Sequence, residues 1–129
     1  MEERRRNKLK ILLIDDDTDT LELYKTIAKQ YDVSLETTTI ASKFIELFNE
    51  GSYDIVLVDY SMPIDGLVLS RLLKKEKNPN TKLYFITSHD KQTIKNKING
   101  DKYEGILSKE IGFSKILSHC IGEFVHERV

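Results

Sequence analysis

Five polar residues stand where short apolar runs stop. Leu9 to Ile14 runs into Asp15 and Asp16, and Ile55-Val56-Leu57-Val58 ends on Asp59. Leu83-Tyr84-Phe85-Ile86 ends on Thr87, and Gly105-Ile106-Leu107 leads through Ser108 to Lys109. Gathered together, these would be three carboxylates, a hydroxyl and an ammonium. Carboxylates held close repel one another, and one is driven towards protonation unless a cation neutralises them. No His or Cys accompanies them at ligand spacing, which disfavours zinc. An oxygen-only set suits a hard divalent ion, with Mg²⁺ the default. Mg²⁺ held this way usually leaves room for waters and a phosphoryl group. Thr87 and Lys109 then suit phosphoryl oxygens. Asp59 is a possible nucleophile, because carboxylates form acyl phosphates. The plainer alternative makes Asp59 a solvated loop-start or helix-cap residue. Composition alone readily supplies one or two such strand-end groups, but not the whole set.

What must position these residues is legible in the apolar pattern. The four runs above read as strands, and Val33 to Glu36 as a weaker one. Between them lie helical stripes. Leu21, Tyr24, Ala28 and Tyr31 recur at three and four, with Ile27 beside them and Asp17 or Thr18 placed to cap. Ile40, Ala41, Phe44, Ile45 and Phe48 form the next stripe, stopped at Asn49-Glu50-Gly51. After the breaker Ser61-Met62-Pro63, a third helix is expected from about Gly66 through Leu67, Leu69, Leu72 and Leu73 to Asn78-Pro79-Asn80. Asp90 to Asn99 offers only Ile94 and Ile98, a thinly anchored helix closed by Asn99-Gly100. Phe113, Ile116, Leu117, Cys120, Ile121, Phe124 and Val125 form the strongest stripe, a long terminal helix. Cys120 lies on it and reads as a buried small hydrophobe rather than a nucleophile. Strands alternating with helices in this way predict an α/β domain with a parallel sheet covered on both faces. In such a sheet the C-terminal strand ends share one edge, where ligands bind.

Bulk composition agrees. The 129 residues suffice for one domain, with 40% apolar and 32% charged side chains. Net charge is -1 but uneven: residues 1–65 carry 8 basic and 14 acidic groups, residues 66–129 carry 12 and 7. That argues for a local acidic site rather than a nucleic-acid surface. One cysteine permits no internal disulfide. The run Ile11 to Ile14 is too short for a signal peptide or membrane span. Arg4-Arg5-Arg6 reads as a solvated leader before it reads as a lipid or nucleic-acid contact.

With ILLIDDD, YDIVLVDYSMP, Gly66, FITS and ILSK in that order, the chain resembles the receiver domain of two-component response regulators. The resemblance spans nearly the whole chain, residues 9–129, behind a charged leader of residues 1–8. It implies a flavodoxin-like (βα)5 doubly wound fold with strand order 2-1-3-4-5. By the same resemblance Asp59 is the phosphoacceptor, and Mg²⁺ is held by Asp15, Asp16, Asp59 and the Ser61 backbone carbonyl. Thr87 would bond the phosphoryl group and Lys109 would pair with it. The donor would be a phosphohistidine on a histidine kinase or histidine phosphotransfer protein, and the output a downstream protein target. The implied setting is cytoplasmic, with neither nucleic acid nor membrane as a direct partner and with weak homodimers allowed. Any catalysis would be limited to the domain's own phosphorylation and dephosphorylation. Ser61 and His89, each two residues beyond a motif residue, would tune the lifetime of the phosphoryl group, although His89 also reads as an exposed loop residue. Asp17 and Asp19 match no obligatory family role and are read as helix-start residues favoured by the macrodipole.

Three departures stand out. The interval from Asp59 to Gly66 is one residue shorter than in the family. Glu110 follows Lys109 where the family has proline. A cis peptide there would cost about 3 kcal/mol without proline, so a trans bond and some displacement of Lys109 are expected. Ile106 stands where the family carries an aromatic switch residue. These leave the site's groups intact and bear on the output surface of the fourth helix, fifth strand and fifth helix. A receiver-like module working without phosphorylation is the main alternative. A haloacid-dehalogenase-like phosphatase fits poorly, since Asp19 stands where its DxDx(T/V) motif needs Thr or Val. A calcium loop fails, since Thr20 and Thr26 occupy its glycine and glutamate positions. With no room for an output domain before Val129, the chain is expected to act as a single-domain regulator or phosphorelay shuttle, or to be a piece of a longer protein.

Overall fold

The computed structural model describes residues 8–62, 66–88, 91–97 and 103–127. Residues 1–7 of the leader, Pro63, His89, Ile98 and Asn99-Gly100 lie outside the described residues. Five parallel strands form one sheet: β1 (Leu9–Ile14), β2 (Val33–Thr38), β3 (Ile55–Asp59), β4 (Lys82–Thr87) and β5 (Gly105–Ser108). Their order is β2-β1-β3-β4-β5, as the resemblance implied. The helices are α1 (Thr18–Ala28), α2 (Ala41–Glu50), α3 (Gly66–Arg71), α4 (Lys91–Lys97) and α5 (Phe113–Glu127).

The near-continuous apolar strands are explained by two cores. Alternate side chains of a strand point to opposite faces. Ile11, Leu13, Ile55, Leu57, Tyr84 and Ile86 meet Leu21, Tyr24 and Ala28 of α1 and the buried stripe of α5, including Phe113, Ile116 and Cys120. Leu12, Ile14, Val56, Val58, Leu83 and Phe85 meet Phe44 and Phe48 of α2, Leu69 of α3 and Ile94 of α4. Full burial of one such side chain is worth about 2–3 kcal/mol, so both layers fix the sheet edge rigidly.

The third helix is shorter than its leucines suggest. It ends at Arg71, and a 3-10 turn follows at Lys75–Lys77. The amides of Leu72 and Leu73 bond Leu69 and Ser70, three residues back, so the helix tightens and stops. The Lys74 amide then bonds the Asn49 Oδ1 at 2.9 Å. Leu73 is buried, but Leu72 is 52% exposed and anchors nothing. Ile40 and Val125 likewise sit at the exposed margins of their stripes, and Ile40 is the N-cap of α2. β2 runs two residues further than expected, to Thr38, pairing with all of β1.

Candidate functional site

Register sets the site. Ile14 pairs with Val58, so Asp15, just past the end of β1, and Asp59, the last residue of β3, come next on neighbouring stretches of chain. Thr87 closes β4 opposite Ser108, and Lys109 follows. Asp15, Asp59 and Thr87 are all but fully buried, and they are three of the four buried polar or charged side chains among the described residues. Burial of charge is costly unless it is paired, and the pairing is visible. The Lys109 Nζ donates to Asp15 Oδ2 at 3.1 Å and to Asp59 Oδ2 at 3.2 Å. The remaining oxygens are met by backbone: the Asp17 amide donates to Asp15 Oδ1 at 2.9 Å, and the Ser61 amide to Asp59 Oδ1 at 3.1 Å.

One ammonium does not neutralise this crevice. Burial and the neighbouring Asp15 carboxylate push the Asp59 pKa up to about 6. Burial alone would lower the pKa of Lys109, but the Asp59 and Asp15 carboxylates outweigh it and raise it instead. Asp15, Asp16 and Asp59 each offer an oxygen within 4.8 Å of the others, with Asp16 on the exposed side. Three hard oxygen donors, an excess of negative charge and one open side fit a hard divalent cation.

Local sequence explains each placement. Asp17 is the N-cap of α1, its carboxylate accepting from the Asp19 amide at 3.1 Å and the Thr20 hydroxyl at 2.8 Å. Asp17 therefore serves the helix, and the loop holds Asp15 and Asp16 out at the strand end. The shortened segment after Asp59 still returns Gly66 onto the strand end. A Cβ on Gly66 would lie 2.9 Å from the Asp59 carbonyl oxygen and 2.9 Å from the Tyr60 Cα, so only glycine permits this approach. Glu110 follows Lys109 without any cis peptide among the described residues. The Lys109 ammonium lies in the crevice, within reach of both Asp15 and Asp59. Ser108 and Gly112 shape the turn that follows β5. The Ser108 Oγ accepts from the Glu110 amide at 3.1 Å, and Gly112 turns the chain with φ 90°. A Ser two residues before a free N–H, with Gly following, was the available signal. Ile106 is half-buried and packs on the core layer of Phe85 and Ile94.

Residues 11–120 match the response regulator receiver domain family. The chain belongs to that family. A stretch of 69 residues is 35% identical to histidine kinase 5 of Arabidopsis thaliana, covering 53% of this chain and 8% of that protein. Another of 88 residues is 24% identical to the autoinducer 2 sensor kinase/phosphatase LuxQ of Vibrio vulnificus, covering 67% of this chain and 10% of that protein. The receiver thus spans a tenth or less of the length of these curated relatives. Among solved structures, a CheY-like receiver domain protein from Methanospirillum hungatei JF-1 superposes with a TM-score of 0.82 at 17% identity, covering 95% of this chain and 98% of that one. The receiver domain of Francisella response regulator 1452 gives 0.80 at 21% identity, covering 93% and 99%. At such identities the likeness is one of fold. Family membership sets aside the phosphatase and calcium-loop alternatives for this receiver. Among the described residues no helix is long and apolar enough to cross a membrane.

Proposed function

We propose that this receiver takes a phosphoryl group onto Asp59 from a phosphohistidine and passes the signal on by protein contact. The observation that carries the reading is the pairing of Lys109 with both Asp15 and Asp59 at the strand ends. An Asp59 carboxylate oxygen attacks phosphorus as the phosphorus–nitrogen bond of the donor breaks. The imidazole leaves with that electron pair, and an acyl phosphate remains on Asp59. Asp59 must be ionised to attack, and its raised pKa means the bare crevice opposes that charge. Asp15, Asp16, Asp59 and the Ser61 carbonyl would hold Mg²⁺, which when bound supplies the positive charge the crevice lacks. Lys109 lies within reach of the Asp59 oxygens and can pair with phosphoryl oxygens once they arrive. Thr87, buried at the end of β4, supplies a hydroxyl on the same edge. The reading extends to a cytoplasmic setting, to a histidine kinase or phosphotransfer protein as donor, and to a protein target. The occurrence of similar segments within sensor kinases supports the donor class.

The test is phosphorylation with acetyl phosphate or a phosphorylated histidine kinase in the presence of Mg²⁺. Label on wild type and none on Asp59→Ala supports the reading. An unlabelled wild type beside a labelled control receiver would make the domain a contact module.

A further inference from the structure

We infer that Ser108 is the positioning residue for Lys109, doing by a hydrogen bond what the chain cannot do with proline. The inference rests on Asp59 as phosphoacceptor for its catalytic readout. Glu110, unlike proline, keeps a backbone N–H. That donor is used: Ser108 is the N-cap of the turn Lys109–Ile111, its Oγ accepting from the Glu110 amide at 3.1 Å. Lys109 is therefore bracketed. On one side Ser108 belongs to β5, paired with Thr87. On the other the Gly112 amide bonds the Lys109 carbonyl at 3.2 Å, and Gly112 itself takes a φ of 90°. Phe113, next in the chain, stacks on Tyr24 with ring centroids 4.0 Å apart, tying this turn to α1. Lys109 has a long, rotamer-rich side chain, yet its Nζ must sit between Asp15 and Asp59. Fixing its backbone removes much of the freedom that would otherwise carry the ammonium out to solvent.

The experiment compares wild type with Ser108→Ala and Ser108→Thr, each alone and in a Lys109→Met background. One readout is the initial rate of Asp59 phosphorylation by acetyl phosphate with Mg²⁺. The other is the rate of amine modification at Lys109, mapped by mass spectrometry and normalised to Lys43, whose side chain is 55% exposed. Ser108→Ala is expected to slow phosphorylation roughly tenfold. It should also speed modification of Lys109 several-fold with Lys43 unchanged. Ser108→Thr, which keeps the acceptor oxygen, should restore both. In the Lys109→Met background Ser108→Ala should cost nothing further, because the residue acts through Lys109. Wild-type behaviour of Ser108→Ala in both readouts overturns the inference, as does an undiminished loss in the Lys109→Met background. If wild type takes no phosphoryl group, the Asp59 reading fails, and the amine readout still decides the role of Ser108.

Discussion

At the scale of single residues, Asp59 carries opposing demands. Burial and the nearby Asp15 carboxylate raise its pKa to about 6, against 3.8 for a free aspartate. The folded state therefore binds this proton more tightly than the unfolded chain does. The group stabilises the metal-free fold at low pH, and that contribution is lost as pH rises from about 4 through about 6. Asp59→Asn should accordingly raise the melting temperature of metal-free protein by roughly 3 °C or more near neutral pH. The gain should shrink towards zero near pH 4, which thermal denaturation at a series of pH values would show. Glycine 66 poses a steric demand instead. Gly66→Ala forces a Cβ to 2.9 Å from two backbone atoms and is expected to destabilise by about 1–3 kcal/mol in urea melts. The sequence displayed the identities of Asp15, Asp16, Asp59, Thr87 and Lys109 because each stands at or just past the end of an apolar run. It did not display how Lys109 is held, since a Ser hydroxyl reaching an amide two residues on leaves no periodic trace.

Among the elements, strands were the easiest to read. β1 begins and ends where its apolar run does, and the buried runs of β3 and β4 follow from being sandwiched between two core layers. Helix ends were harder. Leu72 and Leu73 are equally apolar in sequence, yet only Leu73 reaches the core, because the helix tightens at Leu69 and Ser70. Leu73→Ala should cost about 2–4 kcal/mol and Leu72→Ala less than about 0.5 kcal/mol. Equal losses in chemical denaturation would mean that α3 continues past Arg71. The same logic separates Phe124 from Val125 on α5, the first buried and the second 52% exposed.

For the whole molecule, the strand order brings acidic groups from β1 and β3 and a basic group after β5 to one edge, though 94 residues separate Asp15 from Lys109. No local window of sequence contains that meeting; it emerges only from the alternation of strands and helices and from the family pattern. The three carboxylates should make folding stability depend on divalent ions. Millimolar Mg²⁺ is expected to raise the melting temperature of wild type by mass action. Asp16→Asn should lose most of that response while leaving metal-free stability within about 0.5 kcal/mol, because Asp16 is exposed. A full Mg²⁺ response in Asp16→Asn would place the ion elsewhere.

The chemistry proposed for this receiver is transfer of a phosphoryl group to one carboxylate, that of Asp59. It is tested most directly by phosphorylating the protein with Mg²⁺ and acetyl phosphate, reducing the acyl phosphate with borohydride, and locating the product by peptide mass spectrometry. The expected result is homoserine at Asp59 alone, absent in Asp59→Ala and strongly diminished in Lys109→Met. Modification at Asp15 or Asp16 instead, or none in wild type under conditions that label another receiver, would contradict it.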